Sequence, residues 1–248
     1  MKRRTIFWTG AAVLGTAGMA GWWQITKGSR LIPLELSGSI SLDTRQLILV
    51  LAESRGMVPA NVWLLERGKL RSHWHIAEGP WPANIGKNGV GWGRDSLGTP
   101  NPGGYPDKKE GDGRSPAGVF RVPAAFGTTK TAPSGLRLPW LSCTATLRGV
   151  DDIQSKYYNQ IVDEASVPDK DWNSAEIMRR EDGLYDLGLL ISHNPERLAG
   201  AGSCIFLHIW KGPGQGTAGC TALAFEHVQK IAAWLDPACG PCLVLGVR

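Results

Sequence analysis

Short apolar runs alternate with segments rich in Gly and Pro along most of the chain, and this pattern predicts β-strands joined by tight turns. The runs that predict strands lie at 46–52, 61–66, 69–76, 118–122, 203–210 and 243–245. The run 203–210 (SCIFLHIW) is apolar on both faces, so it predicts a central strand that is covered on each side. Residues 222–235 predict a helix that ends before Pro237.

Two polar segments separate these elements. Residues 79–115 are dense in Gly, Pro, Asn and Asp and predict loops over one face. Residues 150–182 predict an insertion or lid, with a helix around 174–180. Because the chain also holds 32 glycines and 16 prolines, tight turns and short strands are favoured over a helical bundle. We therefore predict a mostly β (β-rich α+β) single domain over residues 46–248.

The N-terminus is typical of an exported protein. Lys2, Arg3 and Arg4 precede an uncharged apolar run from Ile6 to Ile25, which is long enough to cross a bilayer as one helix. Residues 1–26 are thus predicted to be a signal peptide or a membrane anchor, with cleavage and retention both open, and 27–45 a polar linker. The positive end should stay in the cytoplasm, which predicts a domain in the periplasm or cell envelope.

The charge of the chain does not point to nucleic acid. Its 27 Lys and Arg outnumber its 22 Asp and Glu, but five of these cations lie within the first thirty residues, which contain no acid. Residues 31–248 are therefore neutral overall. A nucleic-acid-binding domain needs an excess of positive charge on its folded surface, so we predict no nucleic-acid partner.

Export would make disulfides possible for Cys143, Cys204, Cys239 and Cys242, although the sequence does not choose among their pairings. The CGPC stretch that ends at Cys242 is similar to a thioredoxin redox motif, yet it precedes a predicted strand instead of opening a helix. A local disulfide or two unpaired thiols therefore fit better than redox catalysis. Zinc is only weakly indicated because no second pair of closely spaced ligands is present.

The fifth cysteine has a histidine nearby in sequence. His208 ends the predicted central strand, a glycine-rich turn follows at 211–216, and Cys220 comes just before the predicted helix. At a helix N-terminus Cys220 would be stabilised as a thiolate, with His208 as its base and Gly219 in the region that binds the oxyanion. The competing interpretation is that both residues simply pack in the core.

Two blocks of sequence favour the catalytic interpretation. Residues 202–221 (GSCIFLHIWKGPGQGTAGCT) and 112–120 (DGRSPAGVF) resemble motifs of the L,D-transpeptidase catalytic domain of the YkuD type. Further similar segments are Tyr157-Tyr158-Asn159, Asp171-Trp172 and Ser192-His193-Asn194. The resemblance implies a β-sandwich or barrel with a few helices, Cys220 as nucleophile and His208 as proton donor and acceptor.

The same resemblance implies a substrate. Cys220 would form a thioester with a peptidoglycan stem peptide, release the terminal D-alanine and pass the acyl group to an amine, which cross-links or remodels the cell wall. Transfer to water would make the protein an L,D-carboxypeptidase instead. The family needs no metal or organic cofactor.

The chain departs from the family pattern where Ala218, and Ala222 or Leu223, stand in place of its usual polar residues. One hypothesis is that His193 supplies a polar group near Cys220; the alternative is that it caps a loop. Further candidate substrate-binding residues are Arg114, Tyr158, Trp172 and Trp210. A non-catalytic envelope-binding module and a thiol-redox protein are the other functions considered.

Overall fold

The computed structural model describes residues 28–68 and 73–248, which form a mostly β fold with 33% of residues in strands and 11% in helices. The predicted fold class is confirmed. The strands are β1 (Gln46–Ala52), β2 (Pro59–Glu66), β3 (His75–Asn84), β4 (Val90–Trp92), β5 (Ser115–Arg121), β6 (Ala125–Gly127), β7 (Trp140–Ser142), β8 (Leu147–Val150), β9 (Gln160–Asp163), β10 (Ala175–Ile177), β11 (Leu187–Leu190), β12 (Phe206–Ile209), β13 (Thr221–Leu223) and β14 (Cys242–Val247).

The helices are few and short. Residues 28–31 are helical, and they are followed by α1 (Leu34–Ser37), α2 (Phe225–Trp234) and 3-10 turns at Glu164–Ser166 and Pro237–Cys239. No helix within 28–68 or 73–248 has the length and apolar character needed to span a membrane. The predicted signal or anchor at 1–26 lies outside the described residues, as does the first half (69–72) of the predicted strand 69–76.

Eleven strands form one large sheet in the order β4-β5-β14-β1-β2-β3-β13-β12-β11-β6-β7. Strand β1 lies near its centre, pairing in parallel with β14 and antiparallel with β2. Every residue of β1 is buried because both faces of this part of the sheet are covered. The uninterrupted apolar run in the sequence is the signal of that double burial.

Strand β12 separates two apolar clusters. Leu207 points into the main core, together with Val228 and Ile231 of α2. Neighbouring side chains of a strand alternate between faces, so Phe206 and His208 project to the other side. The cluster that Phe206 joins there consists of Phe126, Cys143, Leu147, Met178, Leu184, Tyr185, Cys204, Phe206 and Cys220. The prediction of a strand buried on both faces is confirmed, although β12 is shorter than 203–210.

The predicted insertion contains a small sheet of its own, ordered β10-β8-β9. The helix predicted around 174–180 is wrong, since Ala175–Ile177 pairs antiparallel with Arg148–Val150. The helix predicted from Ala222 is also wrong at its start, because Thr221–Leu223 pairs with β12 and β3. In both places pairing with a distant strand overrides the local preference of the chain.

All five cysteines are unpaired, so neither of the two disulfides considered from the sequence is present. Cys242 begins β14, and its Sγ lies 3.3 Å from the Oγ1 of Thr44 inside the domain. Cys239 ends a 3-10 turn and is partly exposed. Of the alternatives considered for the CGPC stretch, two unpaired thiols match this arrangement.

The segment predicted as a linker contributes to the main core. Ile32, Leu36 and Ile40 are all buried there, and Leu36 has no exposed surface. The apolar residues of 32–40 are spaced so that one side of the segment faces the sheet. This part of the chain is therefore packed against the domain.

We expect Leu36→Ala to lower the free energy of unfolding by about 2–5 kcal/mol, because it removes buried methyl groups and leaves a cavity. Leu34→Ala is the matched control, since Leu34 is 87% exposed and its loss should change stability by about 0.5 kcal/mol or less. Urea denaturation of both variants measures the difference. Equal effects of the two substitutions would contradict the packing of this segment.

Candidate active site

His208 and Cys220 open into the same cavity, which has a volume of about 360 Å³. Both residues are 7% exposed, so only a small part of each reaches the cavity. The remaining lining residues are Glu176, Arg180, Leu184, Tyr185, Trp210, Lys211, Gln215, Gly216, Thr217, Ala218 and Ala222. The structure thus brings together the two residues that the sequence analysis selected as nucleophile and base.

Strand pairing positions the two side chains. Strands β12 and β13 are parallel with His208 opposite Ala222, and Cys220 precedes Ala222 by two residues. His208 also lies opposite Gly188 of β11. The small side chains on both neighbouring strands leave room for the imidazole. Ala222 therefore has a steric role beside His208.

Main-chain groups of the neighbouring segment hold the thiol. The N–H of Phe206 donates to the Sγ of Cys220 over 3.3 Å, and the thiol donates to the carbonyl of Cys204 at 3.6 Å. The predicted placement of Cys220 at a helix N-terminus is wrong: α2 begins only at Phe225, with β13 in between. The helix dipole acts mainly over the first turn, so it does not stabilise a Cys220 thiolate.

Burial keeps both catalytic candidates uncharged. It raises the pKa of the Cys220 thiol to about 12, and the carboxylate of Glu176 adds to that increase. It lowers the pKa of His208 to about 4. The Nδ1 of His208 lies 2.7 Å from the carbonyl of Ile209, and donation of its hydrogen there leaves Nε2 as the acceptor. The resting site is therefore a neutral thiol beside a neutral imidazole.

Two hydroxyl groups hold the turn that carries Cys220. The Oγ of Ser115 lies 2.7 Å from the carbonyl oxygen of Gly219 and 3.0 Å from that of Cys220. The hydroxyl of Thr217 donates to the Cys220 carbonyl at 2.6 Å. Ser115 is fully buried and belongs to the 112–120 motif, so the two resembling blocks are joined here directly.

The close packing at this turn explains why residue 219 is a glycine. A Cβ at that position would stand 3.0 Å from the carbonyl oxygen of Arg114, which is tighter than ordinary contact. The Gly219 N–H donates to the Oγ1 of Thr217 at 3.1 Å. Since that hydrogen is already engaged, the oxyanion role expected in the region of Gly219 falls to another amide or requires this bond to break.

A buried ion pair packs close to the turn that carries Gly219 and Cys220. The Nζ of Lys108 lies 2.6 Å from a carboxylate oxygen of Asp112, and the Lys108 side chain is only 3% exposed. Its Cε is 3.8 Å from where a Cβ of Gly219 would stand. Asp112 also accepts the N–H of Arg114. Lys108 was missed in the sequence because a single lysine in a polar loop carries no local signal of burial.

His193 lies apart from the cavity of Cys220. Its Nδ1 accepts the N–H of Arg94 at 3.3 Å, so its Nε2 donates to the carbonyl of Ala201 at 3.0 Å. It lines a different cavity of about 390 Å³, together with Asn159 and Arg197. The hypothesis that His193 supplies a polar group near Cys220 is therefore wrong. Both of its nitrogens hold loops in place, which matches the alternative interpretation.

The four candidate substrate-binding residues separate into two groups. Trp210 lines the cavity with His208 and Cys220. Arg114, in contrast, donates to the carbonyls of Asn88 and Val90, and the hydroxyl of Tyr158 donates to Glu110. Trp172 is 5% exposed and packs edge-on against Tyr157. Only Trp210 is therefore placed to contact a ligand of the Cys220 cavity.

Among the cavity residues that were not found from the sequence, two are joined to each other by a hydrogen bond. Glu176 and Tyr185 come from the insertion and from the segment that follows it, and the Tyr185 hydroxyl donates to the Glu176 carboxylate over 2.5 Å. The Tyr185 ring meets His208 edge-on, with 5.2 Å between ring centres. Neither residue belongs to a motif, and 32 residues or more separate Glu176 from His208 and Cys220. Only the tertiary fold brings them together.

The histidines predict how stability depends on pH. Burial lowers the pKa of His193, like that of His208, from 6.5 to about 4. The unfolded chain therefore takes up protons first, so stability present above about pH 6.5 is lost as the pH falls towards 4. Each histidine contributes on the order of 3 kcal/mol to this loss.

We expect His193→Gln to make the free energy of unfolding less steeply dependent on pH between 6.5 and 4, as measured by urea denaturation. His73→Gln is the control, because His73 is exposed. An unchanged slope would contradict the buried, neutral state of His193.

The raised pKa of the Cys220 thiol predicts how the rate of its alkylation depends on pH. Because the pKa of Cys220 is raised to about 12, its alkylation by iodoacetamide should rise about tenfold per pH unit from pH 7 to 9 without reaching a plateau. Peptide mass spectrometry measures the rate at Cys220, with partly exposed Cys239 as the internal reference. A plateau near neutral pH would instead reveal a stabilised thiolate.

Within 28–68 and 73–248 no group of three or more His, Cys, Asp or Glu side chains is arranged to hold a metal ion. Comparisons of the chain with known protein families, with curated proteins and with solved structures give no match. A function therefore has to be argued from the residues that line the cavity and from the sequence block 202–221, which contains His208 and Cys220.

Proposed function

We propose that this protein is a cysteine acyltransferase that acts on peptidoglycan stem peptides in the manner of an L,D-transpeptidase. The observation that carries the proposal is the shared cavity of Cys220 and His208, in which the imidazole keeps Nε2 available while Nδ1 is tied to the carbonyl of Ile209. The resemblance of residues 112–120 and 202–221 to that family supports the substrate class.

In the first step His208 acts as the base. The thiol hydrogen of Cys220 first turns from the carbonyl of Cys204 towards His208. Nε2 then takes this proton while Sγ attacks the carbonyl carbon that precedes the terminal D-alanine. The C–N bond then breaks, and the imidazolium returns the proton to the leaving amine. The products are a Cys220 thioester and free D-alanine. A neutral thiol and imidazole suit this route, since the proton moves only when the substrate is in place.

In the second step an acceptor attacks the thioester carbonyl. His208 takes a proton from the acceptor, the C–S bond breaks, and the proton passes to the Cys220 sulfur. An amine acceptor yields a new amide, whereas water yields a shortened peptide. The same two side chains serve both steps, so one cavity is sufficient for the complete cycle.

The cavity offers both apolar and cationic contacts to a peptide. Leu184 and Trp210 supply apolar surface, and Lys211 adds an exposed positive charge at the rim. A stem peptide ends in a carboxylate, which a nearby lysine attracts. This combination fits a short anionic peptide in an extended form.

The test is to incubate the full-length chain with disaccharide-tetrapeptides and to follow the products by mass spectrometry. We expect loss of D-alanine and a covalent adduct on Cys220. Cys220→Ala should abolish both, and His208→Gln should reduce turnover by about 10²–10⁴-fold because the base is lost. Cys239→Ala is the matched control, since that thiol lies outside the cavity, and it should retain full activity.

The products also separate the related functions. A cross-linked dimer identifies a transpeptidase, and a tripeptide identifies an L,D-carboxypeptidase. Peptidoglycan binding that survives Cys220→Ala, with neither turnover nor adduct in the unaltered protein, would replace the proposal with an envelope-binding module.

A further inference from the structure

A carboxylate stands in the same cavity as the nucleophile. Glu176 lies on β10 of the small sheet and lines the cavity with Cys220 and His208. One of its oxygens, Oε2, accepts the Tyr185 hydroxyl. The other, Oε1, has no hydrogen bond to any residue in the described part of the chain. The cavity's Arg180 makes two hydrogen bonds to Asp182. Its charge offsets that of Glu176 only in part, because burial still leaves the pKa of Glu176 raised.

This carboxylate works against the first step of the proposed reaction. Of the charged groups around Cys220, Glu176 contributes most to raising the pKa of the thiol. Burial also raises the pKa of Glu176 itself, which means that its charge is poorly solvated. A cation bound in the cavity would relieve both effects, because it would pair with the carboxylate and offset its field at the sulfur.

We propose that Glu176 binds the ammonium group of the acceptor substrate, so that the acyl group passes to a primary amine in preference to water. This inference rests on the proposed function, and it names the acceptor class that the motifs leave open. A charged ammonium needs a carboxylate partner inside a cavity of this kind, whereas water does not. Because Oε2 already accepts the Tyr185 hydroxyl, Oε1 is the oxygen left to receive it.

The Glu176 carboxylate can also accept a proton from the bound ammonium. An ammonium has no lone pair, so it must lose one proton, here to Glu176, before it attacks the thioester carbonyl. A C–N bond forms, His208 takes the second proton, the C–S bond breaks, and His208 returns that proton to the Cys220 sulfur. Glu176 then releases its proton to solvent. The net change is thioester plus ammonium to amide, thiol and one proton.

Tyr185 couples this acceptor site to the base. Its hydroxyl fixes the Glu176 carboxylate, while its ring packs edge-on against His208 and against Phe206. Displacement of Tyr185 would therefore disturb both groups together. The insertion that carries Glu176 is thus more than a cover for the domain, because it supplies one wall of the site.

The experiment measures how the Cys220 thioester divides between two acceptors and water. The donor is the disaccharide-tetrapeptide, and the acceptors are D-methionine, whose amine is cationic near neutral pH, and hydroxylamine, which is uncharged there. Glu176→Gln removes the charge and keeps the shape. Glu181→Gln is the matched control, since Glu181 is exposed in the same segment. Acyl-enzyme formation on Cys220 is recorded separately for each protein.

We expect Glu176→Gln to form the thioester and to lower the ratio of D-methionine product to hydrolysis by about ten- to a hundredfold, the loss of one charge-assisted hydrogen bond. The ratio for hydroxylamine should be unchanged in Glu176→Gln, and both ratios should be unchanged in Glu181→Gln. An unchanged D-methionine ratio, or an equal fall for both acceptors, would overturn the inference while leaving acyl transfer intact. Absence of any thioester in the unaltered protein would overturn the proposed function and this inference with it.

A measurement on the unaltered protein covers the case in which Glu176→Gln fails to fold. Trimethylammonium is a cation that keeps one N–H donor but cannot form an amide, so it should compete with D-methionine for Glu176 and lower that product. Hydrolysis and transfer to hydroxylamine should continue. A D-methionine product that is insensitive to trimethylammonium would overturn the inference.

Discussion

The parallel pairing of β12 with β13 is the constraint on which the site depends. It places His208 opposite Ala222 and sets Cys220 on the same face two residues earlier. Because side chains alternate along a strand, a slip of one residue would turn one of the two away from the cavity. The neighbouring strands are held in this register by the main core, which Leu207 enters from the opposite face of β12.

Burial is the second constraint, and it determines how the chemistry can proceed. It holds the thiol and the imidazole neutral, so the pair differs from a preformed thiolate–imidazolium pair. The turn around Gly219 is held in place by the hydroxyls of Ser115 and Thr217, and the Lys108–Asp112 ion pair lies behind it. These contacts hold the backbone on either side of Cys220 in one conformation.

The small sheet contributes to the cavity a residue that neither sequence motif contains. Through β10 it brings Glu176 to the cavity, and through Tyr185 that carboxylate is linked to His208. The Glu176 carboxylate opposes formation of the Cys220 thiolate. In the proposed reaction its charge becomes favourable once a substrate cation pairs with it. Under the proposed function, acceptor choice would therefore depend on a segment whose sequence indicated only a polar insertion.

The sequence by itself determined the mostly β class, several strands of the core and the choice of Cys220 and His208 as candidates, because apolar runs and short motifs are local properties. It failed at Ala175–Ile177 and at Thr221–Leu223, which became strands by pairing with distant segments. It also assigned His193 to the wrong cavity and missed Glu176, Tyr185 and Lys108. Their roles arise from contacts between residues far apart in the chain, and only the tertiary structure decides those.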